Sequence, residues 1–138
     1  MDIYHINDHH GALAPLYLLP KTIPVCLSLH NAEFQGLWPL RTDKEKDEIC
    51  RVFNLSEDVV KKYVQFGEVF NLLHAAASYL LHINQNGFGA VGVSKKYGKR
   101  SLARYPIFWG LKSRVQNYES DAAKLVVLHL DLVSIIKI

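Results

Sequence analysis

Near its start the chain runs through two short apolar segments separated by a polar turn and a stretch of helix formers, and that order leaves few folds open. Ile3 to Ile6 is strand-like and breaks at Asn7-Asp8, Gly11 to Leu19 holds helix formers and stops before Pro20, and Pro24 to Leu29 is apolar between turn residues. A strand, a helix and a strand in that order make a parallel pair. The expected class is therefore α/β.

Downstream punctuation extends the pattern. His30 to Pro39 lacks a period and contains Gly36 and Pro39, which predicts a loop at the carboxyl end of the second strand. Thr42 and Glu45 fit a capping box opening a helix through Phe53, and Ser56 fits the cap of a short helix through Lys62. Glu68 to Ile83 carries Val69, Leu72, Leu73, Ala76, Tyr79, Leu80 and Ile83 at helical spacing and predicts a longer, core-facing helix. Gly87-Phe88-Gly89 reads as a turn, Ala90 to Val93 as a third, buried strand, and Ser94 as the cap of a helical turn through Lys99. Residues 1–112 form one compositional unit, whereas 113–138 turn polar and then, from Leu125, apolar. Leu128, Leu130 and Leu132 alternate with His129 and Asp131 there like an aggregation-prone strand, and with the Ile3 strand as an exposed edge this predicts poor solubility.

With 138 residues, 49% of them hydrophobic and 21% charged, the chain is sized and composed for one globular domain. A formal net charge of +3 does not call for nucleic acid. Lys95, Lys96, Lys99, Arg100 and Arg104 interleave with Tyr97 and Tyr105, which a solvated basic helix face explains. Cys26 and Cys50 have no framework spacing and read as buried reduced thiols, favouring an intracellular setting. The first residues have neither the basic nor the apolar region of a signal peptide, and Leu125 to Ile138 is too short and too polar to span a bilayer.

In such a sheet ligands bind beyond the carboxyl ends of the strands. The first loop there is Asn7-Asp8-His9-His10-Gly11 and the second His30-Asn31-Ala32-Glu33-Phe34-Gln35-Gly36, both rich in groups that bond hydroxyls. Phe34 and Trp38 add aromatic faces, so a sugar is a natural ligand. On residue types alone an equal alternative stands: Asp8 caps the helix that follows, and His30 and Asn31 satisfy loop backbone. His5, His9, His10 and His30 raise a metal site, but no Cys or Glu completes a tetrahedral set, and Glu33 has no partner for glycosidase chemistry.

The segment Asn7 to Leu18 resembles the H-D-W-H segment and following helix of bacterial glycogen synthases and plant starch synthases. Leu27 to Gly36 resembles their T-x-H-N-x-x-Y-Q-G loop, and Val93 to Tyr97 their V-S-x-x-Y turn. Asp2 to Thr42, Val64 to Leu80 and Gly87 to Leu111 are more closely similar to the synthase domain of fungal cell-wall alpha-1,3-glucan synthases. The resemblance implies a partial Rossmann-like parallel sheet with flanking helices, belonging to the N-terminal lobe of a two-lobed GT-B glycosyltransferase. It implies glucose transfer, with retention, from a nucleotide sugar, UDP-glucose, to a growing alpha-glucan acceptor, with no metal or other cofactor. His10 falls on the family's active-site histidine. Asp8 matches the aspartate of the same loop, His30, Asn31, Gln35 and Gly36 the second loop, and Ser94 and Tyr97 the third, all expected to line the substrate site.

Asn7, His9 and Phe34 depart from the family pattern, and His74 stands where many bacterial members carry Lys. The resemblance also implies that the Lys-Gly-Gly loop for the donor phosphates lies upstream and that the second lobe lies downstream, so the 138 residues alone are expected to be inactive. The resemblance further implies a full-length enzyme that is membrane-associated and works at the cytoplasmic face of the plasma membrane, while no membrane contact is expected of this segment. A glucan-binding fragment without turnover is the competing expectation.

Overall fold

A computed structural model describes residues 3–83, 85 and 89–111; the expected Gly87 turn and the tail 113–138 lie outside them. Strand β1 (Tyr4–Asn7) pairs in parallel with β2 (Val25–Leu29), Tyr4 opposite Val25 and Asn7 opposite Ser28. On the other side of β2 lies β6 (Ala90–Gly92), also parallel, with Leu27 opposite Ala90. The order β1-β2-β6 makes β2 central, and all five of its residues are buried, as a strand covered on both faces requires. β1 stands at the edge among the described residues. The parallel α/β expectation holds.

Between β1 and β2 the expected helix is instead a short 3-10 helix, Ala14–Leu18. Its bonds run i to i−3, Ala14 N–H to Gly11 O at 3.1 Å and Leu16 N–H to Leu13 O at 2.9 Å. Pro15 has no N–H to offer, and Pro20 closes the segment before regular turns accumulate.

A second, antiparallel sheet interrupts the expected loop and the expected long helix. β3 (Leu37–Pro39), β4 (Gln65–Phe66) and β5 (Val69–Asn71) are ordered β3-β5-β4. Pro39 is tolerated because β3 is an edge strand. Gly67, at φ +61°, opens the two-residue turn between Phe66 and its partner Val69, the glycine-first arrangement that suits a hairpin. Helix α3 therefore runs over Leu72–His82 rather than from Glu68, and the Asn71 side chain caps it by accepting the His74 N–H at 2.9 Å.

α1 (Asp43–Phe53) opens with the expected capping box, Thr42 Oγ1 accepting from Glu45 N–H and Glu45 reaching back to Thr42 N–H. Its carboxylate, bonded to the backbone of Arg41 and Thr42, titrates below the usual glutamate range. Ser56 caps α2 (Glu57–Val59), which passes into a π turn over Val60–Val64. α4 (Lys95–Arg104) opens at the Ser94 cap and outruns the single turn expected.

α3 is buried nearly all round through Leu73, Ala75 to Leu80, and packs on β2 and the π turn. The Tyr79 hydroxyl accepts from Ile23 N–H at 3.0 Å deep in this core. Cys26 is buried but Cys50 only partly, a correction to the expectation for both; both are free thiols, and burial pushes each above its usual pKa. No helix among the described residues is long and apolar enough to cross a membrane.

Candidate functional site

The three strands of the first sheet are parallel, so the chain leaves β1, β2 and β6 at the same rim. What each loop does there follows from its hydrogen bonds. Asp8, just past β1, has φ +50°, a left-handed conformation that aspartate tolerates better than most residues. Its N–H continues the ladder to Ser28 O at 2.9 Å. Its Oδ1 accepts two backbone N–H groups of the second loop, from His30 at 2.7 Å and Asn31 at 3.0 Å. The carboxylate thus ties loop to loop and does not cap the segment after it, as one alternative had it.

Asn7 and His9 add further ties. Asn7 Oδ1 lies 3.2 Å from His30 Nε2, and His9 Nδ1 donates to Phe34 O at 3.1 Å. His10 stacks on His9, ring centroids 4.1 Å apart, and its Nδ1 donates to Asn7 O at 3.3 Å. Because a carbonyl oxygen only accepts, that bond puts the proton on Nδ1 and leaves Nε2, in the neutral ring, with a free lone pair. His10 is exposed, and among the described residues no bond joins it directly to the second or third loop.

The second loop is pinned at Ala32 from both sides. Its N–H donates to the Tyr97 hydroxyl at 2.6 Å, and its carbonyl accepts from Gln35 Nε2 at 3.0 Å. Gln35 Oε1 in turn accepts from the buried Asn71 amide at 2.8 Å. Gly36 sits at φ +70° against Leu72, where a Cβ would come within 2.8 Å of that side chain. Arg104 at the end of α4 pairs with Glu33 at 3.0 Å, and burial raises the phenol of the neighbouring Tyr105, with Glu33 acting in the same direction. The third loop reaches this cluster through Tyr97, since Ser94 Oγ is occupied in accepting the Tyr97 N–H at 3.1 Å.

The candidate residues therefore divide in two. Asp8, Gln35, Gly36, Ser94 and Tyr97 commit their bonding to holding the loops in place. His10, His30 and Asn31 are exposed at the rim, Asn31 using its Oδ1 on Glu33 N–H at 3.1 Å. Sequence reasoning missed Asn71, although an Asn directly before an apolar helical run is a cap signal, and it missed Asn7 as a link between loops. It also grouped Trp38 with the rim aromatics, whereas Trp38 lies on β3 of the other sheet; Phe34 does lie in the second loop, 69% exposed. Among the described residues no three His, Cys, Asp or Glu side chains are placed to hold a metal ion, and His5, one of the histidines considered, pairs instead with Ser28 Oγ at 2.7 Å.

Comparison with known proteins places the sequence in a family. Residues 1–85 match the family model for the starch synthase catalytic domain. Over 112 residues, 81% of the chain, it is 76% identical to cell wall alpha-1,3-glucan synthase ags1 of Schizosaccharomyces pombe and 73% identical to mok11 of the same organism. A glycogen synthase of Chlorobium phaeovibrioides is 28% identical over 131 residues, covering 87% of this chain and 27% of the relative. The chain spans only 5% of the length of the two yeast relatives. With its parallel sheet, its flanking helices and its first 85 residues all following that pattern, the chain belongs to the starch synthase catalytic domain family.

Proposed function

We propose that this chain carries the acceptor-side part of the N-terminal lobe of a retaining GT-B glycosyltransferase, over residues 1–112, whose parent enzyme moves glucose from UDP-glucose to a growing alpha-1,3-glucan of the fungal cell wall. The observation that carries the reading is the Asp8 carboxylate bonding both His30 and Asn31 N–H, which draws the first two loops into one rim at the carboxyl ends of parallel strands. Retention without hydrolysis needs positioning and charge stabilisation more than a reactive side chain, and a rim this firmly tied suits that work.

His10 is the residue assigned to the transferred glucose. The Nδ1–H bond to Asn7 O fixes its ring, so the Nε2 lone pair is available to a sugar hydroxyl or to positive charge developing at the anomeric carbon. His30 and Asn31 supply polar groups to the glucan-facing wall, and Asp8, Gln35, Gly36, Ser94 and Tyr97 shape that wall through the bonds described. The partners are an alpha-glucan and a nucleotide sugar, without a metal or nucleic acid, and the parent enzyme works at the cytoplasmic face of the plasma membrane.

A second reading, that the chain is an inactive fragment and at most a glucan-binding module, is favoured by its spanning 5% of its yeast relatives. Incubation with radiolabelled UDP-glucose and a glucan primer separates the two. The 138-residue chain alone is expected to incorporate no label, and a version extended at both ends by its genomic neighbours is expected to incorporate it. Absence of label from the extended version as well overturns the enzyme reading.

A further inference from the structure

We propose that the Trp38 face of the antiparallel sheet is a second glucan-binding surface, separate from the loop rim, on which one pyranose ring of an alpha-linked glucan stacks against the indole. The choice of glucan rests on the function proposed above; the existence of a binding surface rests on the geometry alone. Trp38 lies on the edge strand β3 and remains 39% exposed despite its size. Phe53 and Phe70 meet it edge to face, with centroids at 5.1 and 5.9 Å and interplanar angles of 72° and 79°, which fixes the plane of the ring. No hydrogen bond engages its indole N–H among the described residues.

The ring opens onto a shallow hollow of about 410 Å³, lined by Leu37, Trp38, Pro39, Arg41, Glu68 and Val69, a size within the range of small-ligand clefts. Two of these residues bring charges of opposite sign. Arg41 spends one guanidinium nitrogen on Glu45 at 3.4 Å and keeps its other donors, and the Glu68 carboxylate has no side-chain partner among the described residues. A flat apolar ring flanked by free donors and free acceptors matches a pyranose, whose one face is C–H and whose rim is hydroxyl. The mixed charge disfavours a polyanion, which needs one sign. It equally disfavours an apolar protein face, which would bury Glu68 unpaired. Trp38 follows Gln35 of the second loop by three residues, roughly 10 Å of extended chain, so a glucan on this surface lies within reach of the rim.

The test uses the 138-residue chain carrying Trp109→Phe, which leaves Trp38 as its one tryptophan, titrated with an alpha-1,3-linked gluco-oligosaccharide and, in parallel, an alpha-1,4-linked one. Either sugar is expected to change the Trp38 emission saturably and to shield it from acrylamide. Calorimetric titration, which needs no tryptophan, reads the affinity of every variant, and Trp38→Ala is expected to weaken binding roughly tenfold, the loss of one aromatic platform. Arg41→Ala with Glu68→Ala tests the same surface with the indole in place and is expected to weaken binding as well, whatever the fold of the Trp38 variant. His10→Ala is expected to leave the Trp38 response unchanged. A silent Trp38, or wild-type affinity in both surface variants, overturns the proposal. Binding that vanishes with His10→Ala also overturns it, while leaving the rim function standing. Self-association that shields Trp38 and resists the sugar overturns it in favour of an interface between copies.

Discussion

Asp8 is the residue on which the rim depends, because one carboxylate oxygen satisfies two backbone donors of another loop from a backbone conformation few residues tolerate. Replacing it by Ala strips both donors of their partner and strains the left-handed turn. Asp8→Ala is expected to destabilise the chain by roughly 2–3 kcal/mol, and Asp8→Asn, which keeps an acceptor and the turn preference, by about 1 kcal/mol, in denaturant melts. Equal losses for the two substitutions would show that the shared oxygen is not what matters. The sequence displayed a polar loop at a strand end, which made Asp8 a candidate, but two uses for its side chain fitted the residue types equally well. Only the register of β1 against β2, with Asn7 opposite Ser28, brings Asp8 beside His30 and decides between them.

Among the elements, the junction of β5 and α3 couples the two sheets to the loops. Asn71 caps α3 with its oxygen and holds Gln35 with its amide nitrogen, and Gln35 holds Ala32. Asn71→Ala removes both bonds from a buried position and is expected to cost roughly 2 kcal/mol; Asn71→Asp, which keeps only the cap, is expected to recover about half of it. Hydrogen exchange at the Ala32 and Gln35 amides distinguishes loop release from simple helix fraying. Faster exchange confined to α3 would contradict the coupling.

The helices with cap chemistry were legible: Thr42, Ser56 and Ser94 all cap as read. The small sheet was not, because Pro39 and Gly36 read as loop signals and Val69 shares the helical spacing of α3. The pairing of Leu37 with Asn71 that overrides those signals spans a long stretch of chain, beyond what a local pattern carries.

At the scale of the whole molecule, His74 and His82 contribute to the response to mild acid. Burial lowers the pKa of His74 from its ordinary 6.5, against the opposing bond from its Nδ1 to Val64 O, and burial with nearby Lys62 lowers that of His82. At these two histidines the unfolded chain binds more protons than the folded one between the lowered folded pKa values and about 6.5, so their contribution to stability is full above about pH 6.5 and is lost as the pH drops through the folded values. His74→Gln, which keeps a donor for Val64 O, is expected to flatten part of the fall in melting temperature between pH 7.5 and 5.5. An unchanged slope would remove His74 from the account.

The parallel α/β class was readable from the order of apolar runs, and the family from three short motifs. The division of the candidate residues into rim holders and exposed groups needed the folded loops. The most direct measurement places residues 1–112 of this chain into cell wall alpha-1,3-glucan synthase ags1, with which it shares 76% identity over 112 residues, and assays incorporation of glucose into polymer from the proposed donor, UDP-glucose. The chimera is expected to retain synthesis, and His10→Ala within it to lose at least about 100-fold while expression and melting temperature hold. A His10→Ala chimera that makes polymer at the parental rate would contradict the assignment of this rim to glucose transfer.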